Sequence, residues 1–297
     1  MKKLMLAAVA LAFGVAMAIE SANVVGYQNI TLNDQLTSAG FSWVISTLPT
    51  VGKAETDITL NDFQIVAPEG GLMGETSVNI HTYNEDGLET GNYSYVDEIA
   101  ISMYYWMDEN GELIQPGWYT TASLQGLTAY PEACGTSKIP FGDGFMVISD
   151  CGATITFSGQ VSSKSTDIAL NDQMTSAGFT WTGNCSPVDI KLQDISITPP
   201  AGGLMGETSV NIHTYNKDGL ETGNYSYVDE IAISMYYWMD ENGELIQPGW
   251  YTTASLQGLT AYPEACGNVT ITSGEMFMVI SDCGATMSIP SALPSAE

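Results

Sequence analysis

Residues 70–135 and 202–267 spell the same segment, GGLMGETSVNIHTYNEDGLETGNYSYVDEIAISMYYWMDENGELIQPGWYTTASLQGLTAYPEACG, with one difference: Glu85 becomes Lys217. A segment that occurs twice has to satisfy the same local environment twice, so the chain is expected to build two copies of one module. The likeness continues in weaker form on both sides. Upstream, ITLNDQLTSAGFSW (30–43) matches IALNDQMTSAGFTW (168–181); downstream, FMVISDCGAT recurs at 145–154 and 277–286. The register shifts by 6 residues between the upstream and central blocks, which places an insertion near 44–60 and predicts a surface loop there. The modules are therefore read as 19–160 and 161–297. Identical neighbours on one chain risk exchanging strands while folding. The offsetting gain is bivalency on a repetitive target.

The first 18 residues lie outside this scheme. Lys2 and Lys3 precede an apolar run of 12 residues, Leu4 to Val15, and Ala16-Met17-Ala18 satisfies the small-x-small rule for cleavage. The segment reads as a secretory signal peptide and predicts an extracytoplasmic protein: periplasmic, on the cell surface or extracellular. No later run approaches the roughly 20 apolar residues of a membrane-spanning helix. Without the leader the chain keeps five lysines and no arginine against 34 acidic residues, a net charge of −29. That balance excludes nucleic acid, whose phosphates need protein cations, and disfavours an anionic membrane surface.

Tyrosine, tryptophan and β-branched residues are plentiful, and the hydrophobic pattern is that of strands. In Ser77–Tyr83, Val78, Ile80 and Thr82 alternate with Asn79, His81 and Tyr83, which predicts a strand with one wet face. Asn84-Glu85-Asp86-Gly87 reads as a turn. Tyr93–Met107 is expected to hold one or two strands, and Asp108-Glu109-Asn110-Gly111 a hairpin turn, since Asn-Gly reaches positive φ at little cost. Phe145–Ile148 and Ala153–Phe157 complete the set, and residues 31–40 could hold a short helix. The expected fold is all-β and mostly antiparallel: two tandem β-sandwich-like modules with a short helix in each.

Cys134 and Cys151 recur as Cys266 and Cys283, so an exported protein would most economically pair them as Cys134–Cys151 and Cys266–Cys283. Each bridge would be worth about 3 kcal/mol. A zinc site fits less well, because no paired C-x-x-C occurs. Cys185 has no counterpart and reads as a buried thiol, with an intermolecular disulfide as the alternative.

Catalytic signals are weak. His81 and His213, the only histidines, fall on a predicted polar strand face with no G-x-S-x-G or H-E-x-x-H motif beside them. No acid stands out as half of a glycosidase pair. Asp108–Glu112 and its copy 240–244 could attract Ca²⁺, but they lack the EF-hand order and a plain turn explains them. No other cofactor is implied. The aromatic residues carry the more specific idea. With Ile99–Met107 as a strand, Ile99, Ile101, Met103, Tyr105 and Met107 would face the core. Tyr104 and Trp106 would stand on the other face near Trp118. Tyr104, Trp106 and Trp118, with Tyr236, Trp238 and Trp250, are thus candidate platforms for stacking on sugar rings.

The opening SANVVGYQNITL, with Gly117-Trp118-Tyr119, the Gly142–Val147 strand and Phe157-Ser158-Gly159-Gln160-Val161, resembles a group of uncharacterised exported bacterial β-rich proteins. Those proteins begin with A-N-x-V-G-Y and close with F-x-G-Q-V. The second module keeps Gly249-Trp250-Tyr251 and Gly274–Val279, but ends in SIPSALPSAE in place of the closing motif. The resemblance implies export and β structure and carries no activity. The expectation is a non-catalytic structural or adhesive protein whose partner is an extracellular polysaccharide or other copies of itself. The alternatives are a bivalent carbohydrate-binding protein and, third, a secreted hydrolase.

Overall fold

The computed structural model describes residues 25–34, 41–46, 57–72, 78–84, 88–161, 165–172, 179–204, 210–216 and 220–291. The leader, most of the 31–40 segment and the Glu85/Lys217 difference lie outside these residues.

The first module contains β1 (Val25–Thr31), β2 (Ser42–Ile45), β3 (Asp57–Thr59), β4 (Phe63–Val66), β5 (Val78–Tyr83) and β6 (Glu89–Val96). Helices α1 (Glu98–Tyr104) and α2 (Thr121–Leu124) flank β7 (Gly117–Thr120), and β8 (Lys138–Pro140), β9 (Gly144–Ser149) and β10 (Thr154–Gln160) follow. The second repeats it with β11 (Thr166–Ala169), β12 (Thr180–Gly183), β13 (Ile190–Lys191), β14 (Ser196–Thr198), β15 (Val210–Tyr215) and β16 (Glu221–Val228). Then come α3 (Glu230–Tyr236), β17 (Gly249–Thr252), α4 (Thr253–Leu256), β18 (Thr270–Ile271), β19 (Met276–Ser281) and β20 (Thr286–Ile289). The strand order is the same in both: β2-β9-β5-β6-β7 and β12-β19-β15-β16-β17 for the large sheets, β1-β10-β4 and β11-β20-β14 for the small ones, and β3-β8 and β13-β18 for the ribbons. These ladders are antiparallel, and none joins residues before 161 to residues after it. The all-β, mostly antiparallel expectation holds.

Each core lies where the large and small sheets face each other. In the first module Val78, Ile80, Phe145 and Val147 of the large sheet meet Phe63, Ile155 and Phe157 of the small one. Phe63 stacks on Phe145 at 5.6 Å and meets Phe157 edge-on at 5.0 Å. In the second module Phe277 keeps its place, while Ile195 and Ile289 stand where Phe63 and Phe157 do, an aliphatic repacking of the same layer. The outer face of the large sheet is not wet, contrary to the period-2 reading. Asn79 and Ser94 are buried. Ser94 Oγ bonds to Asn79 Oδ1 (3.3 Å) and Thr121 Oγ1 (2.8 Å), and Thr121 donates to Asn92 (2.6 Å), so a polar chain pins α2 onto the sheet.

Residues 98–104 form a helix where a strand was expected. Asp97 supplies the reason: its Oδ1 accepts the Ala100 N–H at 2.8 Å, an N-cap, while Oδ2 accepts the Leu72 N–H at 2.8 Å. Val96, Ala100 and Ile101 then bury one helical stripe with Ile114 and Tyr119. Of the residues assigned to the core by alternation only Ile101 is buried; Ile99, Met103, Tyr105 and Met107 are exposed. The insertion falls between β2 and β3, and its shorter counterpart in the second module is no open loop. Asn184 is fully buried, and its Nδ2 donates to Val188 O (2.9 Å) and Ile271 O (3.1 Å).

Asp97→Ala removes a helix cap and an acceptor for a part-buried amide together. It is expected to cost about 1–3 kcal/mol in urea unfolding, with the equivalent loss for Asp229→Ala.

Candidate functional site

The proposed sugar platform is split by the fold. Trp118 and Trp250 are buried, packed edge-on against Tyr95 and Tyr227. Consecutive residues on β7 point to opposite faces, so Trp118 enters the sandwich core while Tyr119 lies under α1. Neither presents a face to solvent. Tyr104 and Trp106 do stay together: their rings stack at 4.9 Å and 26°, Trp106 Nε1 donates to Leu124 O (2.9 Å), and Tyr104 is exposed. Tyr236 and Trp238 repeat this at 5.0 Å and 26°. Tyr105, beside the pair, caps α1 in the left-handed region (φ 54°) with its side chain 70 % exposed; Tyr237 does the same.

The expected bridges Cys134–Cys151 and Cys266–Cys283 are not formed, although both members of each pair contribute to one core cluster. Burial pushes the Cys134 and Cys266 thiols up to about 12, which keeps them protonated and poorly nucleophilic. Cys185 is buried, out of reach of another chain. His81 is half-buried, with Nδ1 2.9 Å from Glu89 Oε2; His213 and Glu221 repeat the pair at 3.1 Å. In the 108–112 turn, Asp108 Oδ1 accepts the N–H groups of Asn110 (2.9 Å) and Glu112 (3.0 Å), which holds its carboxyl below the usual range. That carboxylate already serves its own turn. Among the described residues no group of three His, Cys, Asp or Glu is placed to hold a metal ion.

Sequence reasoning missed the place where the modules meet. The edge strands β2 and β12 bring Trp43 and Trp181 face to face, 4.9 Å apart and 5° from parallel. They are equivalent residues, since the upstream repeat aligns them. Gly144 and Met276, likewise equivalent, also touch: a Cβ on Gly144 would come within 2.5 Å of Met276 Sδ. Gly142 lies against Thr166, and its counterpart Gly274 against Gln28. Each contact has its mirror, as across an isologous dimer interface. Ile45 joins the second module's core, Phe141 packs against both cores, and Thr182 Oγ1 donates to Gly142 O at 2.8 Å.

Two clefts flank this pseudo-two-fold contact. One, of about 530 Å³, lies between Tyr83 and the 141–144 turn of the first module and Phe179–Trp181 of the second. Its mirror has Trp43, Tyr215, Glu275 and Met276 at the matching places and only about 200 Å³. Met276 lines that cleft at the position where the larger one has Gly144. A β-bulge between Thr82 and Tyr83 turns Tyr83 out of register at the head of the larger cleft. Asn171 holds the other wall, donating from Nδ2 to Phe179 O (3.2 Å) and from its N–H to Thr180 Oγ1 (3.0 Å). Asp143 as a residue is exposed, yet the cleft walls desolvate its carboxyl and push it up to about 6. The only textual trace of this site is Phe41-Ser42-Trp43 recurring as Phe179-Thr180-Trp181.

No family model matches the sequence, and no curated protein or solved structure matches it either.

Two outcomes follow from the interface. Trp43→Ala with Trp181→Ala removes the stack and is expected to raise the radius of gyration measured by small-angle scattering as the modules separate. The raised Asp143 carboxyl means the folded state binds its proton more tightly than the unfolded chain. That contribution to stability is full below pH 3.8 and is lost as pH rises through about 6. Asp143→Asn therefore gains in melting temperature relative to wild type as pH is raised across that window.

Proposed function

We propose that the protein is a non-catalytic, extracytoplasmic adhesive protein that grips a repetitive polymer through two copies of one exposed aromatic face. The observation that carries this reading is the surface around α1. Ile99, Met103, Tyr104, Tyr105, Met107 and Leu113 are 39–70 % exposed, and Ile231, Met235, Tyr236, Tyr237, Met239 and Leu245 repeat them almost to the percentage point. Solvent-facing apolar residues on this scale mark interaction surfaces. Tyr105 adds to the argument, because a bulky residue in the left-handed region costs free energy that asparagine or glycine would not. Both modules bear that cost while leaving the ring in solvent.

Charge favours a foreign partner over a second copy. The whole chain is at −27, and Glu98, Asp108, Glu109 and Glu112 lie in and beside the patch, so two patches meeting would press carboxylates together. A neutral or basic polymer meets no such repulsion, and its repeating units let both patches engage. The stacked Tyr104–Trp106 pair favours a carbohydrate polymer within that class, which is the second reading: a bivalent carbohydrate-binding protein.

The test is depletion of the mature protein by insoluble cellulose, chitin and peptidoglycan. Wild type and the Tyr105→Asn, Tyr237→Asn and double variants are to be compared. Asparagine suits the left-handed position, so melting temperatures are expected to hold. Each single variant should lose about 10²-fold in apparent affinity with the loss of bivalency, and the double variant should not bind. Retention of all three variants on the polymer that captures wild type would sink the proposal, as would no depletion by any of them.

A further inference from the structure

The larger inter-module cleft contains an unbalanced charge. Asp143 has no hydrogen-bond or ion-pair partner among the described residues, and it stands at the cleft wall as an exposed residue whose carboxyl the walls partly shield from water. A partly shielded carboxylate without a partner is free to pair with a cation that enters the cleft. Four aromatic residues line the cleft with it, Tyr83, Phe141, Phe179 and Trp181, and the other charged residue lining it is again acidic, Asp167. One Asp167 oxygen accepts the Ser288 hydroxyl at 2.6 Å, which holds that side chain in place. No lysine lines the cleft among the described residues, and the chain has no arginine.

These features select a ligand by chemistry. An anion would meet two carboxylates and a strongly negative chain. A hard metal ion needs several carboxylates converging on one point, and among the described residues no group of three His, Cys, Asp or Glu is so placed. A neutral molecule leaves Asp143 uncompensated. An organic ammonium ion answers both halves of the site, since π faces attract cations and do so more strongly once water is excluded. The volume of about 530 Å³ is that of a small-molecule site. We propose that this cleft binds a small organic ammonium compound, its cationic nitrogen paired with Asp143 and its carbon skeleton against Trp181, Phe179 and Tyr83.

The mirror cleft lacks the same capacity. Glu275 stands in place of Asp143, and its Oε2 already accepts the Thr272 N–H at 2.9 Å. Met276 stands in place of Gly144, and the volume is about 200 Å³. The site is therefore present once per chain, whereas the α1 face is present twice. It is independent of the adhesive reading, because none of its residues belongs to that face.

The experiment is isothermal titration of the mature full-length protein at pH 7.5 with glucosamine and with choline, and with N-acetylglucosamine as the neutral control. The expected result is saturable binding of an ammonium probe at one per chain, none of the neutral control, and at least tenfold weaker binding in Asp143→Asn. Phe179→Ala, at a position already 37 % exposed, should weaken it without unfolding the chain. Choline alone would identify a quaternary ammonium ligand, glucosamine alone an amino sugar; either supports the site. Failure of both ammonium probes, equal affinity for N-acetylglucosamine, unchanged affinity in Asp143→Asn, or two sites per chain would each overturn it. None of these results bears on Tyr105 or Tyr237, so the two proposals fail separately.

Discussion

The contact on which the arrangement depends is the parallel stack of Trp43 on Trp181. Each ring projects from the edge strand of a five-stranded sheet, the place where a β protein is most open to pairing with another chain. Packing the two equivalent edges against each other covers both at once. An aromatic pair contributes about 0.5–1.5 kcal/mol beyond its buried area. That is modest, but the tether between modules already supplies a high effective concentration. Ile45 and Phe141 add apolar burial around the stack, and Thr182 adds a hydrogen bond to the Gly142 carbonyl.

A pseudo-two-fold contact makes two clefts, and the sequence differences between the modules then decide what each becomes. The central segment is all but identical and builds the two α1 faces alike. The edges have diverged: Gly144 against Met276, Asp143 against Glu275. The residue on the axis is glycine on one side and methionine on the other, and in a loop of equal length Glu275 is tied to the Thr272 N–H while its counterpart Asp143 stays unpaired. Repetition thus makes a surface that is present twice, and divergence makes a cleft that is present once.

How much of this was legible in the sequence depends on the range of the interaction concerned. The repeat, the strand-rich fold, the Asp108–Gly111 hairpin and the position of the insertion are local or self-referential, and the pattern carried them. The helix at Glu98–Tyr104 was misread because Ile99, Ile101, Met103, Tyr105 and Met107 satisfy a period of two. The decisive signal was Asp97, whose capping bond outweighs a weak strand preference once α1 has Tyr119 to pack on. Trp118 was misplaced for the same reason, since its face depends on which layer covers β7. The cleft was beyond the reach of a single sequence, because it forms between residues some 40 to 100 positions apart that meet only after two modules have docked.

The same reasoning ranks the aromatic residues by what they do. Trp118 and Trp250 are core: buried on all sides, with Tyr95 and Tyr227 against them. Trp43 and Trp181 are interface, each with one face on the other. Tyr104 and Tyr105, with their copies, are surface, and nothing within either module covers Tyr105 at 70 % exposure. A ring held in solvent at a strained backbone position gives the fold nothing that a smaller residue would not give better. The same ring stands at the same exposure in both copies, as Tyr105 and Tyr237. The unpaired Asp143 follows the same logic inside the cleft, where an isosteric amide would relieve the fold and an aspartate is present instead.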